Sequence, residues 1–295
     1  MTKPGRTTFD LDDVSLEALT WGDAGAPLAL CLHGYPDTAW TWRHLGPALA
    51  DAGYRVVAPF SRGYAPSSAP RDVSTGARVA DALDIAAQTG AKRSVVIGHD
   101  WGAFTANALA AMPEQPFDAM VSMAVPPLSA VRITRADFAR QVLTVLAQSG
   151  NSWYILANQV PGIPERVFTS MTALLWRRWS PGYDATEDLA HLAAAAPPDH
   201  RSAIIGYYRQ LIAPKPSSDR HRELCDLLMA PLHHPILQLY GATDGCLRQR
   251  FFTGLAEQLP AGSRLERIER GGHFMHLEQP EQVNAIVLDY LASTR

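Results

Sequence analysis

Gly98-His99-Asp100-Trp101-Gly102 sets small residues two positions either side of a carboxylate. A side chain carried on a tight strand-to-helix turn requires that spacing, because bulk at either flank would meet neighbouring backbone. The β-branched run Ser94 to Gly98 precedes Asp100, and the helix-forming stretch AFTANALAAM follows it. The free N–H groups of that helix would favour an ionised carboxylate. Asp100 is therefore read as a nucleophile, and an isolated GxDxG fits an ordinary helix N-cap equally well.

Two later motifs weigh against the N-cap. Tyr240-Gly241-Ala242-Thr243-Asp244 sets an acid just beyond a predicted strand, and Gly271-Gly272-His273 sets a histidine after the next one. Alone each would be a turn or loop residue. Together they give three strand ends in the order nucleophile, acid, base. His33-Gly34-Tyr35-Pro36 follows a further apolar strand. The N–H groups of Tyr35 and Trp101 are expected to form a two-donor oxyanion hole, each donor being worth a few kcal/mol in such sites. His33, Gly34 and Pro36 make the supporting loop, and a cis peptide at Pro36 is one way to fix it.

An aspartate nucleophile narrows the electrophile. Serine attack on an sp³ carbon leaves an ether, whereas a carboxylate leaves an ester that a histidine-activated water can cleave. The expected electrophile is an alkyl carbon.

These residues need a frame. Predicted strands at Thr7 to Leu11, Ser15 to Thr20, Leu28 to Leu32, Arg55 to Pro59, Ser94 to Gly98 and Ala119 to Val125 alternate with helices from Thr38 onward, over Thr75 to Thr89 and after Trp101. The first two strands are read as a hairpin at the sheet edge. The pattern is that of a mostly parallel sheet with helices on both faces. The strand rhythm stops after Pro126-Pro127 and resumes at Pro235 to Tyr240, followed by a helix near Leu247 to Gln258, a strand at Arg264 to Ile268 and a helix at Pro280 to Leu291. Residues 1–128 and 226–295 are thus read as one α/β core, and 129–225 as an inserted helical cap.

HGYP, GHDWGA, the late Asp244 and GGHFMHLEQP together resemble the α/β-hydrolase superfamily, in its branch with an aspartate nucleophile: epoxide hydrolases and haloalkane dehalogenases. The resemblance spans essentially the whole core. SRGYAPS resembles the DRGYGxS segment of the family, with departures at Ser61 and Ala65. In the cap, WYILANQVPG resembles the epoxide-hydrolase segment with a Tyr five residues before the Gln of Q-x-P-G, here Tyr154. GYYR resembles the second motif, in which the Tyr before Arg reaches the site, here Tyr208, with Tyr207 a packing neighbour. The resemblance implies that Tyr154 and Tyr208 serve an epoxide oxygen. A haloalkane dehalogenase is the alternative, with Trp101 and Trp153 or Trp176 as halide donors, although the Asn one dehalogenase group carries after HG is Tyr35 here. A catalytically silent ligand-binding protein on the same fold is the alternative from another class.

Composition removes other classes. The 295 residues are 47% hydrophobic and 19% charged, enough apolar content for a large core and too much for disorder. Lys and Arg number 26 against 29 Asp and Glu, a net charge of −3 without a basic run. No nucleic acid and no membrane insertion are expected. Acidic residues near the N-terminus and three scattered cysteines point to the cytoplasm and reduced thiols. His99, His233, His234 and His276 lack metal-binding spacing, and the glycines lack a nucleotide-binding pattern, so neither metal nor cofactor is expected. The charge-free run Gln141 to Pro164 suggests an apolar pocket wall. The expected partners are a small hydrophobic substrate and water, with a homodimer left open.

Overall fold

The computed structural model describes residues 3–130, 148 and 150–294. Eight strands, β1 (Gly5–Asp10), β2 (Ser15–Trp21), β3 (Leu28–Leu32), β4 (Arg55–Pro59), β5 (Ser94–His99), β6 (Ala119–Met123), β7 (Leu237–Gly241) and β8 (Arg264–Ile268), form one sheet in the order β1-β2-β4-β3-β5-β6-β7-β8. β1 and β2 are the predicted antiparallel edge hairpin, and every pairing from β4 to β8 is parallel. The central strands LALCL, SVVIGH and AMVSM are buried along their whole length, as strands covered on both faces must be.

Within the core, α1 (Leu45–Asp51), α2 (Thr75–Thr89) and α3 (Trp101–Ala110) connect the strands. The Ser74 hydroxyl accepts from Ala77 N–H at the start of α2, and Gly90 ends it at φ 60, where a side chain would be strained. The helix expected from Thr38 onward is divided. Thr38 caps a 3₁₀ turn over Ala39–Arg43, and α1 starts afresh at Leu45. Pro47 accounts for the break, since proline is tolerated only in the first turn of a helix.

Between β6 and β7 the described chain is helical: α4 (Trp153–Ala157), α5 (Ile163–Arg166), α6 (Phe168–Trp179), α7 (Thr186–Ala195), α8 (Arg201–Ile212) and α9 (Asp219–Asp226). The charge-free run from Gln141 lies partly outside the described residues. α9 packs on α2 of the core, where a Cβ at Gly76 would come within 1.9 Å of the His221 carbonyl oxygen. Two short elements, α10 (Met275–Glu278) and α11 (Pro280–Ser293), close the chain.

The helix expected near Leu247 to Gln258 is absent, and only a 3₁₀ turn over Gln249–Phe252 forms. Phe252 is buried and stacks on Tyr240 at 4.4 Å, and Gly254 turns the chain at φ 74. Tertiary packing of one aromatic ring and a left-handed glycine outweigh a weak helical pattern.

Alternate residues of β3 feed two buried clusters: Leu28, Leu30 and Leu32 face one, Ala29 and Cys31 the other. The second runs without a break into the cap through Tyr154, Phe168, Trp176, Trp179 and Tyr208. Core and cap therefore meet over the ends of the strands that carry the candidate residues.

Candidate active site

Asp100 follows β5 with φ 51 and ψ −110. A non-glycine residue there stores on the order of 1–3 kcal/mol and persists only where its surroundings enforce it. Here the glycines enforce it. A Cβ at Gly98 would come within 2.1 Å of the Gly102 carbonyl oxygen, and one at Gly102 within 2.0 Å of the Leu32 carbonyl oxygen. The turn is so tight that neither flank admits even a methyl group.

The carboxylate is buried and held from two sides. Its Oδ1 accepts from Tyr35 N–H at 2.7 Å, and its Oδ2 lies 3.4 Å from His273 Nε2. Gly34 leaves room for the first contact, since a Cβ there would fall 2.4 Å from Asp100 Oδ1 and 2.6 Å from Trp101 N. The Tyr35-Pro36 peptide is cis. His33 is buried and lies between two backbone groups, the Gly34 carbonyl oxygen at 2.9 Å from Nδ1 and the Ser61 N–H donating to Nε2 at 3.0 Å. Burial lowers its pKa to about 4, so it braces the loop as a neutral ring.

On the far side of Asp100, the Nδ1 of His273 pairs with Asp244 Oδ2 at 2.9 Å. Asp244 Oδ1 in turn accepts from the N–H groups of Cys246 at 2.6 Å and Leu247 at 3.0 Å. His273 Nε2 closes no hydrogen bond and is left facing Asp100. Burial alone would lower the pKa of His273, but Asp244 and then Asp100 outweigh it and raise the value to about 10. Asp100 moves the other way: burial would raise its pKa, and the contact with His273 holds it below the usual carboxylate value. The resting pair is an imidazolium beside a carboxylate.

Two cap tyrosines complete the site. Tyr154 and Tyr208 are buried, with ring centroids 5.3 Å apart. The Tyr208 ring lies 5.1 Å from that of Trp101 and 5.0 Å from that of Tyr35, the residues flanking the carboxylate. Their two segments clasp each other: Gln159 Nε2 donates to the Tyr208 carbonyl at 2.9 Å, and Arg209 donates to the carbonyls of Asn158 and Val160 and pairs with Glu165. Tyr207 points away, donating to the Arg62 carbonyl oxygen at 2.7 Å.

The model for the alpha/beta hydrolase fold matches residues 27–280. The chain belongs to the α/β-hydrolase fold family. Over 99% of its length this hydrolase is 29% identical to Epoxide hydrolase A of Mycobacterium tuberculosis, covering 98% of that protein. It is 28% identical to Epoxide hydrolase 3 of Xenopus tropicalis, over 92% of this chain and 72% of the relative. Among solved structures, Epoxide Hydrolase A from Mycobacterium thermoresistibile superposes with a TM-score of 0.75 at 28% identity, over 98% of each chain.

Several residues of this hydrolase were not legible as site residues from their spacing. Cys246 lies with its sulfur 3.4 Å from the Tyr154 hydroxyl. Arg78 is buried between the rings of Trp101 and Tyr207, at 4.6 and 4.7 Å, and donates to the Trp101 carbonyl at 3.0 Å. Ser61 at the position of the family acid leaves Arg62 well paired, with Asp81 and Asp13. Behind His273, Asp37, His99 and His276 bring three ligand-type atoms within 4.8 Å of one another, and His99 Nε2 lies 2.9 Å from the His273 carbonyl oxygen. Burial raises the pKa of Asp37 to about 8 and lowers that of His99 to about 3, so this cluster lies behind His273 as neutral groups. Only the fold brings these three segments together. Among the described residues, no helix is long and apolar enough to cross a membrane.

Proposed function

We propose that this hydrolase opens epoxides to vicinal diols through an ester on Asp100. The observation that carries the reading is the pair of cap phenols stacked edge to face over the nucleophile. Burial first, and then neighbouring groups including Asp100, push both phenols well above the ordinary value of 10. They stay protonated at neutral pH and can donate to an oxygen whose basicity rises as the ring opens.

In the first step an Asp100 oxygen attacks one ring carbon. The C–O bond breaks and its electrons go to the ring oxygen, which takes a proton from a tyrosine. Esterification removes the charge of Asp100, so His273 loses one of the two carboxylates that hold its proton, passes that proton to the phenolate by way of solvent and becomes a base. It then takes a proton from water, whose oxygen attacks the ester carbonyl carbon. The oxyanion sits against the N–H groups of Tyr35 and Trp101. As the tetrahedral intermediate collapses, the ester C–O bond breaks, the proton of the added hydroxyl passes to the departing alkoxide, and the diol leaves Asp100 a carboxylate beside the His273 imidazolium. Epoxide plus water becomes diol, without cofactor or metal.

Trp176 is removed as a halide donor for the dehalogenase alternative, because its Nε1 already donates to the Pro36 carbonyl at 2.7 Å. The aromatic surround of Tyr35, Trp101, Phe168 and Tyr208 supports a small, mainly apolar substrate. Three free cysteines, two of them buried, support a reducing, cytoplasmic location. Styrene oxide and a bromoalkane, incubated side by side with the enzyme, test the reading: diol formation is expected, and faster bromide release would replace it with haloalkane dehalogenation.

A further inference from the structure

Buried polar groups are almost always hydrogen-bonded, so an exception inside a site needs a reason. Among the described residues near the nucleophile, two stand out besides His273 Nε2. The Tyr35 hydroxyl closes no hydrogen bond, and neither atom of the Asn158 carboxamide closes one. Both residues are 0% exposed. Asn158 is the one neighbour that favours the ionised form of Tyr35, through a side-chain contact of hydrogen-bond character, although the two groups do not reach the geometry of a closed bond.

Their position ties them to the reaction. Tyr35 is the residue whose backbone N–H holds Asp100 Oδ1 at 2.7 Å, and its ring meets that of Tyr208 at 5.0 Å. Asn158 stands one helical turn beyond Tyr154 and donates its N–H to the Tyr154 carbonyl at 2.9 Å. One unpaired group thus belongs to the loop under the nucleophile, the other to the segment carrying a cap phenol.

We propose that Tyr35 Oη and Asn158 form a polar subsite for a hydroxyl group on the substrate, so that the preferred substrates are epoxy alcohols with an otherwise apolar body. This rests on the epoxide-hydrolase reading and specifies its substrate class. The unpaired atoms select the ligand group. Asn158 offers a donor and an acceptor, and a hydroxyl uses both, donating to Oδ1 while accepting from Nδ2 or from the tyrosine. A carbonyl would leave Oδ1 unpaired. A carboxylate would need a cation, and the nearby Arg209 is occupied by Glu165 and two carbonyl groups.

The test compares 3-phenylglycidol with trans-β-methylstyrene oxide, which differ by one hydroxyl, in wild type, Tyr35→Phe and Asn158→Leu. Wild type should favour the alcohol roughly tenfold in kcat/KM, the scale of one net hydrogen bond. Each substitution should draw that ratio toward one, through a larger loss on the alcohol than on the hydrocarbon epoxide. Tyr35→Phe removes only an oxygen and keeps the fold within reach. Its melting temperature should rise, since a buried orphan group is removed, and a clear fall would mean that the hydroxyl serves the fold and would overturn the inference. A wild-type ratio of one or below, or a preference that survives both substitutions, would overturn it while the hydrolase reading stands. Turnover of neither epoxide would overturn both.

Discussion

A carboxylate that is to attack carbon, as proposed for Asp100, has to stay ionised after losing its water. Asp100 does so through two contacts, the Tyr35 N–H and the His273 ring. Asp100→Ala should abolish turnover in a folded protein, because Asp244, the other carboxylate here, is taken up by His273 and two backbone N–H groups. In that variant His273 should titrate below the value of about 10 that it has beside Asp100, as read by the imidazole proton signals. The same coupling shapes stability. The folded pKa of His273 lies above its ordinary 6.5, so its contribution is fully present below pH 6.5 and is lost as pH rises through about 10. The wild-type melting temperature should therefore fall more steeply over that interval than that of His273→Gln. Parallel curves would mean that the ion pair adds nothing to the fold.

Elements act by holding single residues in conformations they would not choose. Gly98→Ala and Gly102→Ala each set a methyl group against a backbone carbonyl oxygen, and should cost about 1–3 kcal/mol in denaturant unfolding. Gly34→Ala presses on Asp100 Oδ1 and Trp101 N instead. It should lower kcat/KM on the order of 10²-fold, the scale of one lost oxyanion donor. This spacing logic was legible in the sequence, because an elbow announces itself by small residues around a polar one and a buried strand by runs such as LALCL. Asp244 and His273 were legible because each follows a predicted strand, the largely buried β7 and the half-exposed β8. The split of the first helix at Pro47 and the missing helix around Phe252 were not, since both depend on what packs against the segment. Nor could spacing reveal Asn158, which follows the last residue of α4 and comes beside Tyr35, more than a hundred positions away, only through the fold.

Across the whole molecule, the proposed reaction depends on a joint between two layers. The core supplies Asp100, Asp244 and His273, and the cap supplies Tyr154 and Tyr208. Trp176 rivets them together, stacking on Phe274 at 3.5 Å while its Nε1 holds the Pro36 carbonyl. Trp176→Leu should let the cap shift and slow alkylation roughly tenfold or more, since misplacement of about 1 Å can cost 10²-fold. Hydrolysis of a preformed ester, which needs only core residues, should change little in single-turnover traces. Removing the base separates the two half-reactions altogether. The central claim is that the alkyl ester forms on Asp100 and that His273 is needed only to hydrolyse it. Intact-mass spectrometry of His273→Gln after exposure to styrene oxide tests this most directly. The account predicts a stable adduct equal in mass to the whole epoxide, located by peptide mapping at Asp100; an unmodified protein that still produces diol, or an adduct on any other residue, would contradict it.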